Sequence, residues 1–104
     1  FDLIHAEFVR DVEPGEVVII DENGLRSIKP MLPPDKLAFC IFEYVYFARP
    51  DSNISDVNVS MARVRMGIEL AKRHPVEADV VIPVPDSGNY AALGFSEHSG
   101  IPYE

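Results

Sequence analysis

The sequence predicts an α/β fold, in which an antiparallel β region comes first and alternating helices and parallel strands follow. Three observations carry this prediction. Residues 1–29 contain short β-branched runs divided by turn residues, whereas residues 58–74 have a helical apolar pattern. An apolar run at 78–84, a second helical segment at 89–99 and a new apolar start at Ile101 then follow. Helix, strand, helix and strand in this order are typical of a parallel sheet.

The first region has the pattern of an antiparallel meander. Apolar residues alternate with more polar ones over 4–8, and residues 17–20 form a compact β-branched run. The run from Asp21 to Gly24 is a strong turn signal, and residues 25–29 continue as a possible third strand. A meander of this size needs other strands to complete a sheet.

A proline-rich stretch at 30–34 is the predicted domain boundary, which divides residues 1–34 from residues 35–104. The apolar run at 37–47 follows it and carries half of the aromatic residues. The periodicity of this run leaves open whether it is a helix or a strand. Turn residues at 49–52 end it.

The first predicted helix begins at Asn58 or Ser60, whose side chains are suited to cap its first amides, and it ends near His74. One face of this helix is predicted to be apolar, and Arg63 falls largely elsewhere with the other charged residues. The predicted apolar positions are Met61, Val64, Ile68 and Ala71.

The second half of the α/β pattern starts with a predicted strand over 78–84. This strand is apolar on both faces, as buried strands of parallel sheets are. Residues 85–88 break it, and the second predicted helix covers 89–99 with Gly100 as its C-cap. Ile101 opens the next strand.

The composition excludes several classes of function. The formal net charge is −8, which argues against a surface that tracks nucleic-acid phosphates and against docking on an anionic membrane. No run approaches the roughly 18 apolar residues that are needed to span a bilayer. The single cysteine, Cys40, rules out an internal disulfide and fits a reducing cytoplasm.

Both ends of the sequence predict an internal piece of a larger enzyme. Phe1 opens the chain without the basic region or cleavage site of a signal peptide, and residues 101–104 stop as a new apolar segment begins. We therefore expect that the chain by itself does not hold a complete active site. Unpaired strand edges in such a piece predict a homo-oligomer or a locally altered packing.

The segment 80–88 is the first candidate site. A buried strand leads through a tight loop into a helix, and ligands of open α/β sheets bind at the carboxyl ends of strands. Ser87, Gly88 and the first helical amides can offer donors to an anion, whereas Asp86 argues against a bare phosphate unless a metal or a lysine neutralises it. Spacing alone favours the alternative, an ordinary turn with serine or aspartate as the N-cap.

The aromatic run and its flanks are the second candidate region. The run from Phe42 to Phe47 could line an apolar conduit or a ligand pocket, although composition alone favours core packing. Cys40 lies inside the apolar run, where a buried structural thiol is the usual outcome, and a metal or cluster would need partner cysteines. Arg49 could hold an anion, although such an arginine more often pairs with a nearby aspartate.

Residues 40–52, CIFEYVYFARPDS, resemble the amidophosphoribosyltransferases, the glutamine-dependent enzymes that open purine biosynthesis. The upstream segment 10–16 resembles the end of their glutaminase domain, and the segments 78–88 and 100–104 also match in order and with near-family spacing. The resemblance spans essentially the whole chain, and the long aromatic motif is its most specific part.

The resemblance implies both a fold and a reaction. Residues 1–34 would be the antiparallel end of an N-terminal-nucleophile glutaminase domain with its linker. Residues 35–104 would be the first helix–strand units of a type I phosphoribosyltransferase parallel sheet. In the family, ammonia released from glutamine passes through an apolar channel and attacks carbon 1 of phosphoribosyl pyrophosphate. The products are phosphoribosylamine, pyrophosphate and glutamate.

The resemblance also implies roles for individual residues. Phe42 and Tyr46 match positions that line the ammonia channel, where an apolar wall excludes water. The loop from Asp86 through Ser87 to Gly88 matches the loop that contacts the pyrophosphate of the substrate, with Mg²⁺ supplying positive charge. In some members the position of Cys40 ligates a [4Fe–4S] cluster, whereas other members carry no cluster.

Parts of the family pattern that this sequence lacks limit the expected activity. The N-terminal catalytic cysteine, the later ribose-phosphate loop and the flexible flap have no counterpart, so we expect the isolated chain to turn over neither glutamine nor phosphoribosyl pyrophosphate. One alternative is a non-catalytic nucleotide-binding or interaction module on the same scaffold. Another is a phosphoribosyltransferase without a glutaminase domain, against which the segment 10–16 argues.

Overall fold

The computed structural model describes residues 2–29 and 38–104, and the chain divides into two compact units, Phe1–Phe39 and Cys40–Glu104. Helices and antiparallel strands both occur, which fits the α/β class. Within the described ranges no helix combines the length and the apolar character that crossing a membrane requires. The predicted boundary after residue 34 lies outside the described residues and stays a prediction.

The first unit contains a β-hairpin. Strand β1 (Val17–Asp21) pairs antiparallel with strand β2 (Gly24–Ile28), and all five residues of each strand have a partner. In the turn, a carboxylate oxygen of Asp21 accepts a hydrogen bond of 2.8 Å from the amide of Asn23. Gly24 has a φ of +100°, which glycine adopts without steric cost. The predicted β-branched strand, its turn and the strand that follows are confirmed.

The strand predicted over residues 4–8 is wrong. A short 3₁₀ helix, Asp2–Ile4, opens the described chain, and residues 6–13 have no regular secondary structure. A strand needs a neighbour to satisfy its backbone groups, and no strand of the described ranges pairs with this segment. Within residues 2–29 the first unit therefore holds a two-stranded hairpin in place of the predicted three-stranded meander.

A buried carboxylate ties the hairpin to the loop before it. The side chain of Glu16 is 1% exposed and accepts hydrogen bonds of 2.9 and 2.6 Å from the two terminal nitrogens of Arg10. It also accepts one of 2.7 Å from the amide of Glu13 and one from the hydroxyl of Ser27 on β2. These donors, with the Arg10 guanidinium first, hold the pKa of Glu16 well below its usual range.

The second unit consists of one π-helical turn, a small hairpin and two α-helices. The π-helix spans Glu43–Phe47, and strands β3 (Asn53–Ile54) and β4 (Val57–Asn58) pair antiparallel after it. Helices α1 (Val59–Arg73) and α2 (Gly88–Ser99) complete the unit. The aromatic run, which periodicity left undecided between helix and strand, thus forms a π-helical turn.

Helix α1 lies where the sequence predicts it, but it buries a partly different face. The side chain of Asn58 accepts a hydrogen bond of 3.1 Å from the amide of Met61, so Asn58 is the N-cap. The predicted apolar face is wrong at Met61, which is 51% exposed, whereas Arg63 is 3% exposed. The buried residues of α1 recur every fourth position, and small residues among them allow close helix packing. They are Val59, Arg63, Gly67 and Ala71.

Helix α2 packs against α1 at backbone contact. An ideal Cβ on Gly94 would lie 2.0 Å from the carbonyl oxygen of Val64, so only glycine fits this crossing. Helix α2 ends at the predicted C-cap, Gly100, which has a φ of +76° and donates its amide to the carbonyl of Ser96 at 2.9 Å. Close packing of the two helices therefore fixes the start of α2 relative to α1.

The buried strand predicted over 78–84 is wrong in its extent and in its burial. The segment forms one parallel bridge, between Val81 and Tyr103, with backbone hydrogen bonds of 2.7 and 3.1 Å. Ile82 and Val84 are 71% and 82% exposed. The parallel direction agrees with the prediction, but no second neighbouring strand covers this segment among the described residues. An apolar run on both faces predicts a buried strand, but in this chain the side chains of Ile82 and Val84 remain largely exposed.

Candidate functional site

The end of the loop before α2 and the first residue of α2 hold the three residues that match the family's pyrophosphate loop by resemblance. Asp86 is exposed, whereas Ser87 and Gly88 are half-buried, and the Pro85–Asp86 peptide bond is cis. The three residues are consecutive, and they lie between the extended segment that ends near Val84 and the first turn of α2. The predicted site is thus a single short loop at a helix N-terminus.

Two backbone amides at the start of α2 are used within the loop itself. The amide of Gly88 donates to the carbonyl of Val84 at 3.2 Å, and the amide of Asn89 donates to the carbonyl of Asp86 at 3.3 Å. These two amides therefore already have carbonyl partners, and the expectation that the first helical amides bind an anion stays a prediction. An anion at this loop would depend on other donors.

The hydroxyl of Ser87 is one such donor. Ser87 occupies the N-cap position, but its backbone is helical, with φ −64° and ψ −29°, and its side chain makes no capping hydrogen bond. A capping serine normally has an extended backbone, which turns its hydroxyl toward the helix amides. The alternative interpretation of Ser87 as an ordinary N-cap is therefore wrong, and its hydroxyl is not engaged by the helix that it precedes.

Open space surrounds the first residue of α2. A Cβ built on Gly88 would meet no atom within 4 Å, so the packing of this chain does not require glycine there. Beside it, the side-chain oxygen of Asn89 is buried without a hydrogen-bond partner in the part of the chain that the structure describes. Buried acceptors are nearly always paired in complete sites. The Asn89 oxygen is thus an acceptor next to Gly88 that has no partner among the described residues.

An apolar groove of about 500 Å³ adjoins the loop. The extended segment 80–84 forms one wall and the two α-helices form the other. Gly88 belongs to both the groove and the loop, so the groove opens beside the candidate anion site. The apolar lining includes Leu70, Val81, Pro83, Ala91, Phe95 and Ile101. The groove supplies shape and hydrophobic surface, whereas the polar groups remain in the loop.

The aromatic residues predicted to line a channel form a cluster on the π-helical turn. The ring centroids of Phe42 and Tyr46 are 5.6 Å apart, and Phe47 lies 5.9 and 6.0 Å from them. These distances are typical of favourable aromatic pairs. The three side chains are between 49% and 71% exposed, so they are not part of the core of this unit, and the alternative of packing near a domain interface stays a prediction. We call Phe42, Tyr46 and Phe47 the aromatic cluster.

Arg63 is a residue at the base of the aromatic cluster that sequence reasoning missed. Its Nε donates to the carbonyl of Tyr44 at 2.6 Å, and one terminal nitrogen donates to the carbonyl of Ala48 at 2.9 Å. Sequence reasoning placed Arg63 on the charged face of α1. The available signal was its spacing, since Arg63 lies four residues from Val59 and from Gly67, both of which are buried.

Arg49 takes part in the turn that follows the π-helix. Its side chain donates two hydrogen bonds, of 3.1 and 3.0 Å, to the carboxylate of Asp51. The amide of Ser52 donates to the carbonyl of Arg49 at 3.0 Å, which closes the predicted turn. Pairing with the nearby aspartate is the alternative that the sequence analysis favoured, and it is confirmed.

Cys40 is exposed, so the expectation of a buried structural thiol is wrong. No group of three or more His, Cys, Asp or Glu side chains within residues 2–29 and 38–104 is arranged to hold a metal ion. Asp86 is the one carboxylate of the candidate loop. Cys40, as the single cysteine of the sequence, provides one thiolate where an iron–sulfur cluster of the usual kind needs four.

Curated relatives match the chain from end to end. The amidophosphoribosyltransferase of Rhizobium etli is 56% identical over 99% of the chain, that of Mycobacterium tuberculosis is 53% identical over 98%, and that of Bacillus subtilis is 48% identical over 100%. The chain spans 22%, 19% and 22% of the lengths of these three enzymes. No protein-family model matches it.

Solved structures show the same similarity in three dimensions. One, described as the allosteric regulatory enzyme of purine biosynthesis, superposes with a TM-score of 0.83 at 48% identity and covers the whole chain. Another is the glutamine phosphoribosylpyrophosphate amidotransferase of B. subtilis in complex with ADP and GMP, with a TM-score of 0.82 at 48% identity. The chain covers 22% and 23% of these two structures. Sequence and structure agree over its full length, and the chain therefore belongs to the amidophosphoribosyltransferase family, of whose members it spans about a fifth.

Proposed function

We propose that these residues take part in the amidophosphoribosyltransferase reaction. In that reaction, ammonia from glutamine displaces pyrophosphate from carbon 1 of phosphoribosyl pyrophosphate, giving phosphoribosylamine, pyrophosphate and glutamate. The observation that carries the proposal is the identity of 48–56% with enzymes of this name along the entire chain. The reaction needs the remainder of the relatives' length as well, since the chain spans about a fifth of it.

Within this proposal, residues 1–34 are the end of a glutaminase domain and its linker. Residues 35–104 are the first units of a type I phosphoribosyltransferase sheet. The β1–β2 hairpin supports the first assignment, because an antiparallel pair at a sheet edge is what the end of such a domain would contribute. The single parallel bridge between Val81 and Tyr103 supports the second assignment.

The loop 86–88 is proposed to contact the pyrophosphate of the substrate. The Ser87 hydroxyl makes no capping bond and can donate to a phosphate oxygen, and the open space at Gly88 lets the ligand approach the backbone. The Asp86 carboxylate would repel a bare phosphate. Mg²⁺ fits this arrangement, because it is often held by one or two carboxylates together with substrate phosphates. Bound Mg²⁺ would neutralise the charge of the pyrophosphate as it leaves.

The aromatic cluster is proposed to form part of the wall along which ammonia moves. Its rings are exposed in this unit, so they present an apolar surface to whatever faces them. An apolar wall excludes water, and ammonia without water near it stays neutral and remains a nucleophile. Phe42 and Tyr46 carry this role in the proposal, and the distance of 5.6 Å between their rings makes them one continuous surface.

An iron–sulfur cluster does not fit these residues alone. Cys40 is the single cysteine of the sequence, and three further thiolates would have to come from elsewhere. No step of the proposed function depends on such a cluster.

The decisive experiment places this chain in an active enzyme. We expect the B. subtilis amidophosphoribosyltransferase to form phosphoribosylamine from both glutamine and ammonium when these 104 residues replace its matching segment. Ser87→Ala in that enzyme should raise the KM for phosphoribosyl pyrophosphate by about tenfold, because a hydrogen bond to a charged group contributes roughly 1.5–3 kcal/mol. Ser99→Ala, at the opposite end of α2, is the matched control. A folded chimera that is inactive with both nitrogen sources would contradict the proposal.

The alternative of a non-catalytic nucleotide-binding module is distinguished by calorimetry on the 104-residue chain. A module would bind a purine nucleotide or phosphoribosyl pyrophosphate by itself. We expect no measurable binding of either compound and no turnover of glutamine, since loop 86–88 supplies few donors. Tight binding of a nucleotide would favour the module.

A further inference from the structure

Arg63 is a buried cation whose charge is not paired with a carboxylate in the described part of the chain. The residue is 3% exposed, and its hydrogen bonds there go to two backbone carbonyls, those of Tyr44 and Ala48. Burying a guanidinium is unfavourable unless its donors are satisfied. The burial of this charged side chain on the packed face of α1 therefore needs a structural explanation.

The Tyr44 carbonyl lies within the π-helix, and the Ala48 carbonyl belongs to its C-cap. The last hydrogen bond of that turn runs from the amide of Ala48 to the carbonyl of Glu43, at 3.0 Å. The backbone becomes extended at Ala48, so the π-helix ends there and the Ala48 carbonyl receives no hydrogen bond from a following turn within residues 38–104. Helix ends leave such carbonyls unsatisfied, and a cation placed there is favourable. Arg63 therefore caps the turn from outside.

The turn needs this external support more than an α-helix would. A π-helical turn is rare and is found mostly as a single turn at functional sites. This one has five residues, none of which is buried. A second support is the Tyr44 hydroxyl, which donates to the carbonyl of Ile54 at 2.7 Å. Arg63 links the turn directly to α1 through its two hydrogen bonds.

The capped turn carries the aromatic cluster. Phe42 immediately precedes the π-helix, and Tyr46 and Phe47 are its last two residues. The positions of the rings follow the backbone of this turn, because the turn and its N-cap carry all three side chains, which are 49–71% exposed. A change in the capping of Tyr44 and Ala48 would consequently move the rings.

We propose that Arg63 is a positioning residue, which holds the π-helical turn through the carbonyls of Tyr44 and Ala48 and so fixes the aromatic cluster in the orientation that guides ammonia. The structural half of this proposal concerns the cluster alone. The functional half rests on the proposed function. Arg63 contacts neither substrate nor ammonia, and it acts through Phe42 and Tyr46.

The structural half is tested by NMR on the full 104-residue chain. In Arg63→Met, we expect the ring contacts between Phe42 and Tyr46 to be lost while contacts between α1 and α2, such as Gly67 with Ala91, persist. Arg63→Lys keeps the charge but cannot reach both carbonyls with a fixed fork, so it should retain the contacts only in part. Arg65→Met, at an exposed position two residues away, should change nothing. Ring contacts that persist in Arg63→Met overturn the proposal, and so does joint loss of the α1–α2 contacts, which would mean a general role in folding.

The functional half is tested in the B. subtilis enzyme that carries this chain. We expect Arg63→Met to lower the phosphoribosylamine formed per glutamine hydrolysed by about tenfold, as small displacements of positioning groups can do. Synthesis from added ammonium should change less than twofold. A purely structural role would lower both activities in parallel, which would overturn this half. If the unsubstituted chimera is inactive with both nitrogen sources, the proposed function fails, and the NMR result still decides the role of Arg63 in the turn.

Discussion

Gly67 of α1 lies against the backbone of Ala91 in α2, so closely that an ideal Cβ on Gly67 would be 1.9 Å from the Ala91 carbonyl oxygen. No side chain fits in that distance, and the carbonyl belongs to helix backbone, which cannot rotate away. The contact is matched by Gly94 against Val64, so each helix contributes one glycine to the crossing. The pair of helices supports both candidate regions, since α1 carries Arg63 and α2 begins at loop 86–88.

Gly67→Ala should therefore destabilise the second unit strongly. Overpacking typically costs about 1–3 kcal/mol, and a clash with helix backbone is expected at the upper end of that range. The free energy of unfolding, measured by urea titration of the 104-residue chain, checks this. The helix propensity of alanine opposes the effect by roughly 0.8–1 kcal/mol. An unchanged or increased stability would show that the helices do not cross as described.

Local signals in the sequence were sufficient for much of the fold. The helix cap, the Gly100 C-cap and the turn from Asp21 to Gly24 each depend on residues close to them in sequence. The last two were predicted, and Asn58 was one of the two predicted N-caps. The aromatic motif at 40–52 indicated the family, because its length and composition are specific.

Features that depend on distant partners were not predictable. The burial of Arg63 follows from two carbonyls, 15 and 19 residues away in sequence, that no pattern within α1 reveals. The exposure of Ile82 and Val84 has the same origin, since an apolar run indicates that a strand prefers burial but not whether neighbours cover it. Serine is a residue type that favours the N-cap position, but the helical backbone conformation of Ser87 leaves its side chain without a capping hydrogen bond.

The Glu16 network predicts an acid-sensitive hairpin. Hydrogen bonds from Arg10, Ser27 and the Glu13 amide lower the pKa of Glu16 below its ordinary value of 4.5. A carboxylate with a lowered folded-state pKa stabilises the fold above its unfolded-state pKa, and this stability is lost as the pH falls through the folded-state value. The hairpin should thus keep constant stability from neutral pH down to about pH 5 and lose it progressively below that.

Urea unfolding followed by NMR signals of β1 and β2 across this pH range measures the effect. Glu16→Gln should lower the stability at neutral pH and flatten the pH dependence, because the glutamine cannot titrate. Glu22→Gln, at an exposed position in the hairpin turn, is the control and should leave the profile unchanged. A wild-type profile that stays flat to pH 3 would argue against the network.

Gly88→Ala should not destabilise the chain, in contrast to Gly67→Ala. A Cβ at Gly88 meets no atom within 4 Å, and alanine is the better helix former at the first position of α2, so the stability of the chain should stay the same or rise slightly. Binding of phosphoribosyl pyrophosphate should weaken, because the added methyl group occupies the space through which the ligand reaches the backbone. The measurement is the KM in the B. subtilis enzyme that carries this chain, together with the melting temperature. An unchanged KM would mean that the space at Gly88 is not part of the proposed substrate site.

The exposed extended segment predicts self-association of the 104-residue chain. Ile82 and Val84 are 71% and 82% exposed, and they form an apolar surface on a segment where Pro83 and Pro85 have no backbone N–H to offer a pairing strand. Exposed apolar surface tends to associate with other chains, and a charged side chain placed within it opposes this association. Light scattering over a range of protein concentrations should show a mass that increases with concentration. Val84→Lys should reduce this increase, whereas Glu77→Lys, at an exposed polar position with a larger change of charge, should not. A monomeric mass at all concentrations would mean that the apolar surface at Ile82 and Val84 does not drive association. Equal effects of both variants would mean that net charge controls the association.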